Sequence, residues 1–368
     1  MELKLCKYSE NFLKQFKNIF LLIVLFSMSI INAKEFGDYF HLVRLIRINP
    51  NPEQLGQLSR ICVDKDGYFI GFDYMTKQVL LFNPEGNFER IIARTGKGPG
   101  EVMIPFSGGL TSDNTLIVID WALRRISFFK NHQTFIRSFI FSSKHTQPSK
   151  VHKLGNYYYF TASHQEVDHL GYYRLVMKYG QKGEFVKSFY DTDASVAGTL
   201  FASENSAKIV IVDPYIYAIQ SAVFKIVVLD TSGNIIKTFG SPPAYFQPPP
   251  ESAPTIKELN EMSYKHRRKA YDTFRNTYTP LIYMIHADDK LFVSTLIERG
   301  GLPERKEMME VYGLDGTHLD GNIKLDHMLY LTTGLDGYFY FLLEREFAED
   351  NTYYTIGKFS YIGADHEK

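Results

Sequence analysis

The sequence predicts an all-β fold, a six-bladed β-propeller closed by an N-terminal strand, with one helical insertion between blades four and five. Three observations predict it. One unit recurs six times: an apolar strand, a turn with Asp or Gly, an aromatic strand, a third strand, a tight turn and a fourth strand. Its shorter spacings match the period of about 40–50 residues of a propeller blade. The chain also carries 25 Tyr and 29 Phe among 368 residues, types that favour strands.

The elements follow in order. Lys4, Lys7, Lys14 and Lys17 precede an apolar stretch, residues 19–31, which is shorter than the ~20 residues of a membrane span. With Ile31-Asn32-Ala33 as a cleavage site, residues 1–33 read as a signal peptide and 34–368 as the exported propeller, periplasmic or extracellular. An uncleaved membrane anchor is the rival reading. Residues 39–48 then supply a spare strand. Blade one reads 61–63, 68–72, 79–82 and 88–93, with turns Asp64-Lys65-Asp66-Gly67 and Asn83-Pro84-Glu85-Gly86-Asn87. Those turn residues supply positive φ or pre-set φ.

Blade two leads through Thr111-Ser112-Asp113-Asn114 into strands 116–119, 125–129 and 135–141. Blade three places strands at 157–160, 173–179 and 185–190. Blade four uses 209–212, 216–219, 224–229 and 235–239. Blade five has 283–286, 291–296, 309–313 and 318–324. Blade six has 329–332, 338–343 and 353–361 and lacks a fourth strand. The strand at 39–48 fills that place and leaves no long sheet edge open. Aligned at Val63, Thr111, His152, Val212, His286 and Thr333, the units lie 48, 41, 60, 74 and 47 residues apart. The two long spacings hold inserted loops, 191–207 and 240–280.

The turn at Asp64-Lys65-Asp66-Gly67-Tyr68, the hairpin 83–87 and the string Gly96-Lys97-Gly98-Pro99-Gly100-Glu101 together resemble the blade signature of the bacterial six-bladed propellers of the NHL-like superfamily. In that superfamily an Asp after the second strand partners an Arg at the start of the third. Asp120 and Arg125 match; Asp73 matches but faces Gln78; blades three to six lack the pair. The resemblance implies a propeller spanning roughly 39–361. Related propellers include binding scaffolds, lactonases and lyases, so fold alone does not choose a function.

Charge narrows the classes. Lys+Arg 41 balances Asp+Glu 41, which gives no electrostatic case for nucleic acid. Cys62, alone after the leader, reads as a small buried hydrophobe. The string 96–101 lacks the Ser or Thr and the helix of a phosphate loop and reads as a blade-to-blade crossover. In the insert, Thr255-Ile256-Lys257-Glu258 forms a capping box ahead of an expected helix of about 20 residues. His164, Glu166, Asp168 and His169 cluster in one loop of blade three.

Alternating strand directions put the loops between second and third strands on the same face as the crossovers. That face collects the long loops, where binding concentrates. His152, His286, Arg299, Arg305 and Arg345 are the candidate ligand-binding residues. The leading expectation is a noncatalytic module that binds a protein, glycan or small molecule there. A membrane is expected as partner only if the N-terminal segment stays uncleaved. The alternative is a hydrolase or lyase whose channel site holds a divalent metal through His152, His286 and His327, since such a site needs three or four ligands.

Overall fold

The computed structural model describes residues 35–48, 56–141, 146–165, 172–189, 208–219, 224–248, 279, 281–298, 306–326, 328–347 and 352–363, with scattered residues between 250 and 273. The chain divides into Met1–Lys34, which includes the expected leader and lies outside the described residues, and Glu35–Lys368. No described helix is long and apolar enough to cross a membrane.

Six four-stranded antiparallel sheets make up the second unit. After the short 3-10 turn Phe36–Asp38 comes β1 (Phe40–Ile48). Blade one contains β2 (Leu58–Val63), β3 (Phe69–Asp73), β4 (Gln78–Phe82) and β5 (Phe88–Ala93). Blade two contains β6 (Pro105–Leu110), β7 (Leu116–Asp120), β8 (Arg125–Lys130) and β9 (Thr134–Ile140). Blade three contains β10 (Thr146–Leu154), β11 (Tyr157–Gln165), β12 (Tyr172–Gly180) and β13 (Phe185–Phe189). Blade four contains β14 (Lys208–Val212), β15 (Tyr215–Ile219), β16 (Ile226–Leu229) and β17 (Ile235–Phe239). Blade five contains β18 (Leu281–Ala287), β19 (Lys290–Glu298), β20 (Lys306–Gly313) and β21 (His318–Asp326). Blade six contains β22 (Leu329–Thr333), β23 (Phe339–Phe347) and β24 (Thr352–Tyr361).

The spare strand takes the place expected of it. β1 pairs antiparallel with β24, from Phe40 opposite Tyr361 to Ile48 opposite Tyr354. Phe36 stacks on Phe40 with ring centroids 4.4 Å apart, and Phe40 meets Phe339 edge-on at 5.1 Å. The inner strands β2, β6, β10, β14, β18 and β22 neighbour one another in a closed ring around the central channel.

Buried side chains form six clusters, one at each blade interface. This follows from strand alternation: successive side chains of a blade face the blade before it and the blade after it. Both faces are covered, so strands such as β7 and β16 read as apolar runs, apart from the terminal Asp120, and are buried at every position.

Hairpins between third and fourth strands in blades one, three, four and five share one construction. In blade one the Gly86 amide donates to the Asn83 carbonyl at 2.9 Å, and a bulge follows. Gly86 has φ +88, and a Cβ there would lie 2.2 Å from the Arg47 carbonyl oxygen of the closing strand. Glycine alone satisfies both demands.

The string 96–101 is a clamped joint. The Glu101 carboxylate accepts from the Gly98 amide at 2.7 Å, and the Gly96 amide donates to the Val102 carbonyl at 2.9 Å. From blade two, Arg125 donates to the carbonyls of Lys97 and Gly98, each at 3.0 Å, and to that of Glu101. The amides of Gly96, Gly98 and Glu101 are bonded within the joint, which fits the crossover role.

The expected helical insertion is not supported. Most of 240–280 lies outside the described residues. Single described positions such as Glu258, Glu261 and Ala270 are helical, but no described helix reaches seven residues. The run Lys265-His266-Arg267-Arg268-Lys269 breaks the apolar stripe that would seat a long helix on the propeller.

Candidate functional site

The long-loop face of blade four carries a cleft of about 550 Å³ lined by Phe224, Lys225, Thr238, Phe239, Gly240, Pro242, Pro243, Phe246 and Pro248. Its floor is the start of β16 and the end of β17. Its wall is the proline-rich lead-in of the insert, whose prolines fix φ and hold it extended.

Three contacts hold that wall. The Tyr245 hydroxyl donates to Glu310 Oε1 at 2.7 Å. The Gln247 amide donates to Thr279 Oγ1 at 2.6 Å, and the Thr279 amide returns a bond to the Gln247 carbonyl at 2.9 Å. Phe246 meets Phe224 edge-on at 5.5 Å. Glu310, on β20, is buried and also accepts from the Asn322 amide at 2.9 Å and lies 2.6 Å from His318 Nε2. A Cβ at Gly321 would fall within 1.8 Å of Glu310 Oε2, so this glycine makes room for the carboxylate. Burial and the neighbouring Glu310 together drive the Tyr245 phenol far above its ordinary range, so it stays a donor. Sequence reasoning missed Tyr245 and Glu310. The available signal was a pair of Glu, 307 and 310, inside an otherwise apolar strand.

The candidate histidines are placed differently from expectation. His152 lies opposite Tyr159, and His286 opposite Leu291. Cross-strand neighbours share a sheet face. Tyr159 belongs to the cluster between blades three and four, and Leu291 to that between four and five. His152 therefore faces forward from its blade and His286 backward, so the two are not equivalent repeat positions. Both flank blade four from opposite sides. The Nε2 atom of each is buried without a hydrogen-bond partner. Burial first, then the cations Lys150 and Arg60, push His152 down to about 3. Burial lowers His286, partly offset by Asp289 and Asp288.

Arg345 sits exposed on β23, opposite Tyr354. Arg299, Arg305, His327 and the acidic-histidine cluster at Glu166, Asp168 and His169 lie outside the described residues. Among the described residues, no three His, Cys, Asp or Glu side chains gather at metal-binding spacing.

A family model described as a 6-bladed beta-propeller, DUF5128, matches residues 14–298. The chain belongs to the DUF5128 family. No curated protein matches this DUF5128 chain. Among solved structures it is similar to a Bacteroides fragilis protein designated as exported, at 13% identity and TM-score 0.59, covering 88% of this chain and 96% of that one. A DUF4221-family member from Bacteroides vulgatus aligns at 10% identity and TM-score 0.60, over 88% and 98%. At these identities the likeness extends to the fold.

Proposed function

We propose that this DUF5128 propeller is an exported, noncatalytic binding module that holds a ligand or protein segment on its long-loop face. The preformed cleft of blade four carries this reading. Its walls are prolines and aromatic rings on a segment already held by part-buried hydrogen bonds, so little ordering cost falls on association. An apolar lining with a few polar groups at its edge is the usual make-up of a ligand site. Export is supported by the basic and apolar leader and by the Bacteroides fragilis neighbour.

The test is a glycan and peptide array probed with the mature chain and with the Phe224→Ala/Phe246→Ala double variant. Array features whose signal drops at least tenfold in the variant, with far-UV circular dichroism unchanged, are the expected outcome. Binding that is indifferent to the double variant, or turnover of the bound compound, overturns the proposal.

A further inference from the structure

On the basis of the binding function proposed above, we infer that the ligand of the blade-four cleft is a small amphiphilic acid, an apolar chain or ring bearing one carboxylate. Lys225 is the residue that holds the carboxylate.

The two sides of the cleft differ, and strand alternation is the reason. Ile226 stands opposite Phe239, and Val227 opposite Thr238. Phe224, Ile226 and Phe239 belong to the cluster between blades four and five, and Val227 to that between blades three and four. Phe224 and Phe239 therefore line the cleft from the blade-five side, where Phe246 meets Phe224. Lys225 lies between buried Phe224 and buried Ile226 and is itself exposed. It turns the other way, to the face it shares with Thr238. Gly240, next in the lining, has φ +97, and a Cβ there would stand 3.5 Å from the Phe224 carbonyl oxygen. Glycine holds that backbone without strain and adds no side chain to the cleft.

Charge gives the sign of the ligand. Lys225 is the one charged side chain in the lining. Other lysines of blades three and four are already engaged by hairpin carbonyls. Lys178 donates to that of Thr231 at 2.9 Å, Lys187 to that of Ser232 at 2.5 Å, and Lys237 to that of Asp315. Among the described residues, no ion pair or hydrogen bond takes the Lys225 ammonium. A carboxylate gains a charge-assisted hydrogen bond from it, and a cationic ligand is repelled. The rest of the ligand covers the phenylalanine rings and prolines and removes them from water. A volume of about 550 Å³ suits a small molecule.

The experiment measures, by calorimetry on the mature chain at constant ionic strength, the affinities of octanoate and phenylacetate beside their neutral amides, octanamide and phenylacetamide. At least one acid is expected to bind saturably, about fivefold or more tighter than its amide. Lys225→Gln should lower the acid to the level of the amide and leave the amide unchanged. Lys237→Gln, which removes an equal charge outside the lining, should leave both unchanged. Phe224→Ala/Phe246→Ala should weaken acid and amide alike. Equal affinity of acid and amide, or an acid that binds Lys225→Gln as tightly as wild type, overturns the proposal; if the phenylalanine variant still weakens both, the cleft remains the binding site. Acid binding that needs Lys225 and ignores both phenylalanines overturns the cleft as that site. No response to either acid overturns the small amphiphile, and array signal confined to acidic peptides then replaces it with a protein segment.

Discussion

The joint from blade one to blade two and the joint from blade four to blade five connect the same strand positions by different means. The first is short and held through its backbone. Asp120, buried at the end of β7, accepts from the amides of Met103, Ile104 and Leu123, and Arg125 takes three carbonyls of the string 96–101. Asp73 does the same in blade one, accepting from Gly56, Gln57, Met75 and Thr76. The second joint is long and, among its described residues, is held at a few points, by Tyr245 on Glu310, Phe246 on Phe224 and Gln247 on Thr279. A joint whose amides and carbonyls are bonded internally leaves few of them to offer a ligand. One pinned at a few points leaves a lined space between them.

The largest effect that can break this comparison is Asp120→Ala. It strands three amides in the interior, at a cost of about 3 kcal/mol or more, measured as the shift in urea midpoint. A loss under about 1 kcal/mol would mean that the joint is held by packing instead. Next comes Arg125→Met, with an expected loss of about 2 kcal/mol, because charged hydrogen bonds each contribute more than neutral ones. Hydrogen exchange at residues 96–101 should rise in step; unchanged protection there would separate the loop from Arg125.

Tyr245→Phe is expected to cost only about 1 kcal/mol, since Glu310 keeps Asn322 and His318. Its signature is functional: weaker array binding at the cleft with the blade-one joint undisturbed. Loss of stability equal to that of Asp120→Ala would erase the contrast between the joints. The variant with the smallest effect at neutral pH sharpens it by pH. His152 binds its proton less readily folded, at about 3, than unfolded, near 6.5. Protons therefore favour the unfolded chain across that window, and stability falls as pH drops from about 6.5 toward 3. His152→Asn should flatten that part of the profile and leave pH 7 nearly unchanged. A parallel profile would remove His152 as its source.

Much of the fold was legible because its determinants are local. Gly86 and its counterparts Gly183, Gly233 and Gly316 mark bulged hairpins, all at positive φ. Alternation marks the two faces, and the spare strand at 39–48 marks closure. The sites were less legible because they depend on register. Blades three, four and five join their first two strands by two residues (Gly155-Asn156, Asp213-Pro214, Asp288-Asp289), whereas blades one, two and six use five. Counting back from the second strand therefore slips, and a one-residue slip reverses the face a side chain presents. His152 and His286 came to look equivalent because β19 begins at Lys290, one residue before the expected 291, so the same count of five back from each second strand lands on opposite faces. Glu310 escaped notice for another reason. It gains its meaning from Tyr245 and from His318 on a different strand, and no spacing along the chain records that.

Ring closure has a consequence in time. Ile48 finds its partner in Tyr354, 306 residues later. At a synthesis rate of about 5–20 residues per second, the first strand waits roughly 15–60 s for the last. During that interval β1 has an unpaired edge, and Leu42, Val43 and Leu45 remain exposed even after closure. A chain that stops before Thr352 never closes. The pairing of β1 with β24 thus acts as a completeness check, met only when the last blade has been made.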